Sequence, residues 1–306
     1  MAFRRLLTFD TVAVGSVILS ATVVLADAYL EGTASLRLGH PALQSACDAS
    51  DLIITSKVVR SLERNGFVFI DNILSAEEAS AVVIDLQSLH DQGRFSVSSP
   101  NNDNNLRRDS TCFLEQSDRD KVLVARPQSP HGSNSVGGGG QRPGEGLLHV
   151  QHLLRGIGYA LEQQSFTGFE RPISTMKLNV PNEVQIAVYG PGQDFYKRHY
   201  DGGSSRAELH DVGLLEYLRC ASYRARSVTC ILYLNPGLPV WDKSEDGGCL
   251  RIHNNLNNRV DGDTTESYTD IVPHGGRLLI FDSKTIEHEV RPTSRLRSAA
   301  TIWFTS

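Results

Sequence analysis

The most informative stretch of the chain is His288-Glu-Val-Arg-Pro-Thr-Ser-Arg-Leu-Arg297-Ser-Ala-Ala-Thr-Ile-Trp-Phe304, near the C-terminus. Its second half has the composition of a buried strand. Because strand side chains alternate between faces, one face would carry Arg297, Ala299, Thr301 and Trp303. An arginine directed into an interior needs an anion, and a planar guanidinium binds a carboxylate through two parallel hydrogen bonds. The stretch therefore predicts a carboxylate-binding site on a strand.

A second motif, His199-Tyr-Asp201, adds a candidate metal site. Residues two apart on a strand project to the same face, so His199 and Asp201 can chelate one ion. With His288 they would supply two imidazoles and one carboxylate, which is the ligand set of non-haem Fe(II) oxygenases. We expect these three residues to bind Fe(II), and the anion at Arg297 to be the distal carboxylate of 2-oxoglutarate.

The segment from Arg226 to Asn235 predicts another strand beside this ligand. Thr229, Ile231 and Tyr233 fall on one of its faces and would offer a hydroxyl, an apolar wall and a phenol. Tyr189 would add a second phenol, or would be a core aromatic residue without ligand contact.

From about Asp51 to Phe304 the chain resembles the hypoxia-type, or EGL-nine type, prolyl 4-hydroxylases among the Fe(II)- and 2-oxoglutarate-dependent dioxygenases. The resemblance includes Asn65-Gly-Phe-Val-Phe-Ile-Asp71 and Leu89-His-Asp-Gln-Gly-Arg-Phe95 besides the motifs above. Collagen-type and plant prolyl hydroxylases usually carry Lys at the oxo-acid position, so Arg297 favours the hypoxia-type branch.

The resemblance implies a mainly β fold of the α+β class, in which N-terminal helices support a double-stranded β-helix, or cupin-like jelly-roll. It also implies that proline in a protein is hydroxylated with release of succinate and CO2, with O2 as co-substrate and ascorbate as reductant. His199, Asp201 and His288 would be the catalytic iron ligands. The residues implied around 2-oxoglutarate are Arg297, Tyr233, Thr229, Tyr189, Ile231 and Thr301.

Substrate contacts are implied at two places. In such relatives a loop closes over the target peptide, and Ser96 to Glu115 occupies that place here. It contains Arg107-Arg-Asp109, where the family commonly has Arg-Gly-Asp, so the peptide preference is expected to differ. Arg226 and Trp303 match positions that line the family's peptide groove, although Trp303 could equally be a core residue.

The domain organisation follows from the same comparison. Residues 51–306 are expected to form one dioxygenase domain, with residues 29–50 as a linker. The Gly-, Ser- and Pro-rich segment 127–146 reads as a surface loop. The insertion 202–225 begins beside the predicted iron ligands and would either cap the site or decorate the periphery.

Composition excludes several classes of protein. The chain has 306 residues, a formal net charge of −5 and a pI of about 6.1, so no basic field favours nucleic acid as a partner. Five cysteines without paired spacing are unlike a disulfide framework, and Cys230 and Cys249 are expected to be small buried residues. His149, His152 and His253 are expected to be solvated or structural rather than metal ligands.

The N-terminus favours entry into the secretory pathway or an organelle. A basic start, Met1 to Arg5, precedes sixteen uncharged residues, Thr11 to Ala26, and Ala26-Asp-Ala28 resembles a cleavage site. Residues 1–28 are therefore expected to be a signal peptide or targeting segment. An uncleaved anchor, which would be the chain's only membrane contact, a buried first helix, and residence in cytoplasm or nucleus remain alternatives.

Two rival functions stay open at this point. The same cofactor chemistry could act on another peptide side chain or on a small molecule, because fold and cofactor do not fix the substrate. A non-catalytic, metal-binding jelly-roll could instead be an interaction module. Arg297 argues against such a module, since it has no need of an oxo-acid site.

Overall fold

The computed structural model describes residues 49–97, 106–116, 123–127 (backbone only), 144–164, 166, 177–202, 225–253 and 267–306. The predicted targeting segment 1–28 lies outside these ranges, as do most of the segments 29–50, 127–146 and 202–225; residues 49 and 50, at the end of the predicted linker, are helical. No helix among the described residues is long and apolar enough to span a membrane.

Three helices precede the strands that carry the predicted site: α1 (Ser56–Asn65), α2 (Ala76–Asp91) and α3 (Glu145–Gln163). Helix α2 begins with a capping box, in which Ser75 and Glu78 each bond the other's backbone N–H. The first turn of α3 has no cap of its own. Instead, Asp85 of α2 accepts a hydrogen bond from Leu147 N at 2.9 Å, which satisfies an orphan donor and joins the two helices.

Helix α3 is buried along most of its length because it packs against α2 and against the outer face of a sheet. His149 is half-buried and lies 3.2 Å from Glu78. The prediction that His152 is solvated was wrong, since its side chain is 1% exposed. Helical periodicity cannot show that a helix is covered on several sides, and α3 is such a helix.

Twelve strands among the described residues form two antiparallel sheets. The larger sheet has eight strands in the order β1-β10-β7-β12-β5-β3-β2, with β4 also paired to β3, and the smaller has the order β6-β11-β8-β9. Their bounds are β1 Phe67–Ile70, β2 Ser96–Val97, β3 Ser110–Gln116, β4 Leu123–Pro127, β5 Glu183–Tyr189, β6 Asp194–His199, β7 Arg226–Tyr233, β8 Leu250–His253, β9 Tyr268–Ile271, β10 Leu278–Asp282, β11 Glu287–Thr293 and β12 Arg297–Thr305.

The larger sheet is covered on both faces, and the alternation predicted for its central strands is observed. Val228, Cys230 and Leu232 of β7 belong to the core under the helices. Ile231 and Tyr233, on the opposite face of β7, pack instead with Leu250 and Ile252 of the smaller sheet. The face predicted to carry Arg297 therefore lies between the two sheets, where a ligand is shielded from water.

The described cysteines agree with the sequence. Cys112, Cys230 and Cys249 are buried, and none of these three is in a disulfide bond. Cys47 and Cys220 lie outside the described residues. Burial raises the pKa of the Cys230 thiol above its ordinary value, so this residue stays protonated and serves as a small apolar side chain.

Candidate active site

Strand pairing brings the two predicted histidine ligands together. Strands β6 and β11 are antiparallel neighbours in which His199 stands directly opposite His288. The two imidazole centroids are 4.3 Å apart. Residues that are 89 positions apart in the chain are thus adjacent because of one register, which pattern analysis of either strand alone cannot give.

Asp201 lies just after β6 and completes the cluster. One ligand atom from each of His199, Asp201 and His288 lies within 4.8 Å of the other two. His199 Nε2 is 3.5 Å from one carboxylate oxygen of Asp201, and His288 Nε2 is 3.8 Å from the other. The three side chains therefore converge on a point that one metal ion can occupy.

Hydrogen bonds orient both imidazoles for metal binding. His199 Nδ1 lies 2.7 Å from the carbonyl of Lys197, and His288 Nδ1 lies 3.1 Å from the carbonyl of Ile286. A carbonyl only accepts, so each Nδ1 carries the proton and each Nε2 presents a lone pair to the cluster.

The protonation states suit a cation. Burial and the adjoining His199 lower the pKa of His288 to about 4, so its ring is neutral at pH 7. Burial opposes ionisation of Asp201, but the neighbouring His288 and His199 in their protonated forms, together with the Arg226 guanidinium, outweigh it and hold the pKa of this carboxyl below its usual range. Neutral imidazoles and an ionised carboxylate are the ligand forms that a divalent metal requires.

Arg297 lies in the same cavity and is 2% exposed. Its Nε donates to the carbonyl of Gly248 at 2.9 Å, and no carboxylate within the described part of the chain forms an ion pair with its guanidinium. The rings of Tyr189 and Tyr233 lie 4.8 and 5.2 Å from the guanidinium carbon.

The hydroxyl of Tyr233 is buried and has no hydrogen-bond partner among the described residues. A buried cation and an unpaired phenol side by side would be costly without a ligand. A carboxylate satisfies both, because its two oxygens can accept from the guanidinium and from the phenol. The site therefore fits the distal carboxylate of an oxo-acid.

The other predicted oxo-acid residues separate into two groups. Tyr189, Ile231 and Thr301 line the cavity. Thr229 does not: its hydroxyl donates to Asp201 at 2.9 Å and bonds the hydroxyl of Ser283 at 2.7 Å. We correct the prediction for Thr229, which holds a metal ligand instead of facing the oxo-acid.

The four predicted substrate residues form two pairs near the cavity. Arg107, which lines the cavity, forms an ion pair with the buried Asp109. Arg226 stacks on the ring of Trp303 at 3.8 Å from its centroid. Because Asp109 is 3% exposed, it can act on a substrate only by fixing Arg107.

Two cavity residues were not singled out from the sequence. Tyr196 stacks on His199 with ring centroids 3.8 Å apart. The guanidinium carbon of Arg107 also lies over the Tyr196 ring, 4.3 Å from its centroid. Gln185 of β5 also lines the cavity. Tyr196 lies on the same strand as the predicted ligand His199, and Gln185 lies on the same strand as Tyr189. The alternation that places Tyr189 inward also places Gln185 inward.

Residues 184–305 match the sequence profile of the 2OG-Fe(II) oxygenase superfamily. This segment is a 2OG-Fe(II) oxygenase domain. The matched range contains every residue of the metal cluster and Arg297. The expected dependence on Fe(II) and 2-oxoglutarate agrees with this match.

Curated relatives extend the similarity beyond the oxygenase domain. The chain is 25% identical over 253 residues to human Egl nine homolog 1, which covers 81% of this chain and 45% of the relative. It is 24% identical over 259 residues to the hypoxia-inducible factor prolyl hydroxylase of Caenorhabditis elegans, covering 82% of this chain and 28% of that protein. The chain thus spans less than half the length of either relative.

Solved structures agree on the fold. One is a prolyl hydroxylase in complex with a hypoxia inducible factor peptide fragment, from Trichoplax adhaerens, with a TM-score of 0.54, 21% identity, and coverage of 86% of this chain and 91% of that one. Another is a prolyl-4-hydroxylase from Pseudomonas putida, with a TM-score of 0.51, 22% identity, and coverage of 82% and 97%. The predicted mainly β double-stranded β-helix is confirmed.

Proposed function

We propose that this protein is an Fe(II)- and 2-oxoglutarate-dependent dioxygenase that hydroxylates a prolyl residue of a protein substrate. The overall reaction consumes 2-oxoglutarate, O2 and a C–H bond, and yields succinate, CO2 and the alcohol. The observation that carries the proposal is the position of Arg297, which pairs with no carboxylate of the described residues, in one cavity with His199, Asp201 and His288.

Each residue has a distinct task in this proposal. His199, Asp201 and His288 hold Fe(II) through Nε2, a carboxylate oxygen and Nε2. Arg297 and Tyr233 bind the distal carboxylate of 2-oxoglutarate, while Tyr189, Ile231 and Thr301 form its walls. Bound iron supplies the activation of O2 that no amino-acid side chain can provide. Burial between the sheets excludes water, which would otherwise compete for the metal and the oxo-acid.

Prolyl peptide as substrate is supported by the similarity to proteins named as prolyl hydroxylases. The Arg226–Trp303 pair and the Arg107–Asp109 pair would contact that peptide. Ascorbate as reductant, and entry of the chain into the secretory pathway or an organelle through residues 1–28, remain predictions from the sequence.

The test is anaerobic reconstitution of the full chain with Fe(II) and 2-oxoglutarate, followed by O2 and a library of proline-containing peptides. We expect succinate and a product heavier by one oxygen atom. In Arg297→Ala both should fall by about 100-fold or more, because the buried carboxylate loses its charged partner. The matched control is Arg291→Ala, which removes a partly exposed arginine of β11.

His288→Ala separates the proposed enzyme from a binding module. An enzyme loses succinate formation, whereas a module keeps its affinity for a partner. Wild-type protein that forms succinate without any peptide product would retain the dioxygenase and exclude the prolyl substrate. Wild-type protein that binds iron but forms no succinate would contradict the proposed function.

A further inference from the structure

Two polar groups at the metal end of the cavity are left over once the metal and oxo-acid residues are assigned. The carboxamide of Gln185, which is 9% exposed, lines the cavity without a hydrogen-bond partner among the described residues. The indole Nε1 of Trp303 is also buried, lines the same cavity and has no described partner. A buried donor is normally paired, so the Trp303 N–H requires a ligand, and the Gln185 carboxamide is a polar group open to the same cavity.

The strand register separates these groups from the oxo-acid residues. Tyr189 of β5 pairs with Arg297 of β12, whereas Gln185 pairs with Thr301. Four residues along a strand correspond to about 13 Å. Gln185 therefore projects from a part of β5 that lies well away from the arginine end of the cavity.

The same register places Trp303 beside the metal cluster and Gln185 on the neighbouring strand. Trp303 of β12 pairs with Thr229 of β7, and the Thr229 hydroxyl donates to Asp201. Thr301, the partner of Gln185, lies two residues before Trp303 on the same face. Gln185 and Trp303 are thus neighbours at the end of the cavity where a substrate C–H bond must approach the metal.

The chemistry of the pair selects a hydrogen-bond acceptor. An indole N–H can only donate, and the carboxamide of Gln185 offers two further N–H donors besides its oxygen. A prolyl residue presents a backbone carbonyl but no backbone N–H, so its main chain consists of acceptors. A donor-rich end of the cavity matches that main chain.

We infer that Gln185 is a specificity-determining residue whose carboxamide, together with the Trp303 indole N–H, donates to a backbone carbonyl next to the target prolyl residue. This inference rests on the proposed function. The Arg226 guanidinium carbon lies over the Trp303 ring, 3.8 Å from its centroid, and this contact restrains the indole. Gln185 and Trp303 bind the peptide main chain, whereas other contacts determine which side chains are accepted.

The experiment compares wild type with Gln185→Met, which keeps side-chain size while removing the amide donors, and with Trp303→Phe, which keeps an aromatic ring but removes the indole N–H. Each protein, with Fe(II) and 2-oxoglutarate bound under anaerobic conditions, is used to select peptides from the proline library. Affinities of the selected peptides are then measured by calorimetry, and kcat and KM are measured after O2 is admitted. Gln87→Met, on the exposed face of α2, is the matched control.

We expect Gln185→Met to weaken peptide binding and to raise the peptide KM by about 3- to 10-fold, the effect of one lost hydrogen bond. The KM for 2-oxoglutarate should change by less than twofold. Trp303→Phe should act in the same direction, and Gln87→Met should match wild type. A peptide with a thioamide in place of the contacted carbonyl should bind wild type more weakly, and the loss should be smaller in Gln185→Met, which has already lost one of the two donors.

Three results would overturn the inference. Unchanged peptide affinity in both variants would show that neither Gln185 nor Trp303 donates a hydrogen bond to the peptide. A raised KM for 2-oxoglutarate with an unchanged peptide KM would assign Gln185 to the oxo-acid. Succinate formation without any selected peptide would exclude a peptide main chain while leaving the dioxygenase chemistry standing, whereas absence of succinate formation would contradict the proposed function itself.

Discussion

At the scale of single residues, the Thr229 hydroxyl links the two sheets through a metal ligand. It donates to Asp201, which follows a strand of the smaller sheet, and it also bonds Ser283. A hydroxyl has one proton, so when Thr229 donates to Asp201 it accepts from Ser283. This arrangement fixes the carboxylate orientation before any metal binds.

Thr229→Val is expected to weaken Fe(II) binding by about tenfold, because ligands that lose an orienting hydrogen bond typically lose 10- to 100-fold in metal affinity. The measurement is an anaerobic Fe(II) titration at pH 7. The KM for 2-oxoglutarate at saturating iron should stay within twofold of wild type. A rise in that KM with unchanged iron affinity would restore the sequence-based assignment of Thr229, and Thr269→Val in β9 serves as the control.

At the scale of elements, helix α3 approaches the larger sheet closely at Gly158. A Cβ at this position would lie 2.7 Å from the Phe304 ring of β12 and 2.7 Å from a methyl of Val180. The glycine therefore permits the helix to rest on the strand that carries Arg297 and Trp303 on its other face.

Gly158→Ala sets two effects in opposition. Alanine favours a helix by about 1 kcal/mol over glycine, but overpacking a tight core costs about 1–3 kcal/mol. Since both close contacts involve enclosed atoms, we expect net destabilisation of about 1–2 kcal/mol, measured by urea denaturation. Gly192→Ala, where a Cβ meets no atom within 4 Å, should be neutral, and a stabilised Gly158→Ala would contradict the close approach.

The inward faces of the central strands could be predicted from the sequence, whereas contacts between elements could not. Alternation within β7 and β12 predicted which residues face the interior, and this succeeded for Ile231, Tyr233 and Arg297. It also placed Thr229 inward, but it did not identify Asp201 as the partner of the hydroxyl, because that contact depends on how the chain after β6 lies against the other sheet. Burial of His152 was missed for a similar reason, since it arises from packing between elements.

At the scale of the whole molecule, an ion pair joins the first strand to a distant part of the chain. Asp71, just after β1, accepts from Arg277, just before β10, with Nη2 and Oδ2 3.0 Å apart. The hydrogen bond from Arg277 lowers the pKa of Asp71 below 3.8. A folded-state pKa below the unfolded value means that the pair stabilises the fold above about pH 4 and loses this effect as pH falls through the folded pKa.

Asp71→Asn should therefore lower the free energy of unfolding at pH 7, and the difference from wild type should shrink as pH falls from about 4 toward 2. Asp71 is 44% exposed, so solvent screening limits the effect at pH 7 to less than about 1 kcal/mol. Urea denaturation across this pH range measures it, and 1 M salt should reduce it. The control is Glu245→Gln, and a pH-independent difference would rule out the ion pair as its source.

The division of the cavity between two sheets has a diagnostic consequence. Two metal-binding histidines come from the smaller sheet, whereas the arginine and tyrosines for the oxo-acid come from the larger one. Each sheet thus holds one reagent, and the reaction needs both sheets at the correct separation. A substitution that spreads the layers apart should leave each ligand bound yet uncouple their chemistry, so that oxo-acid is consumed without a hydroxylated product.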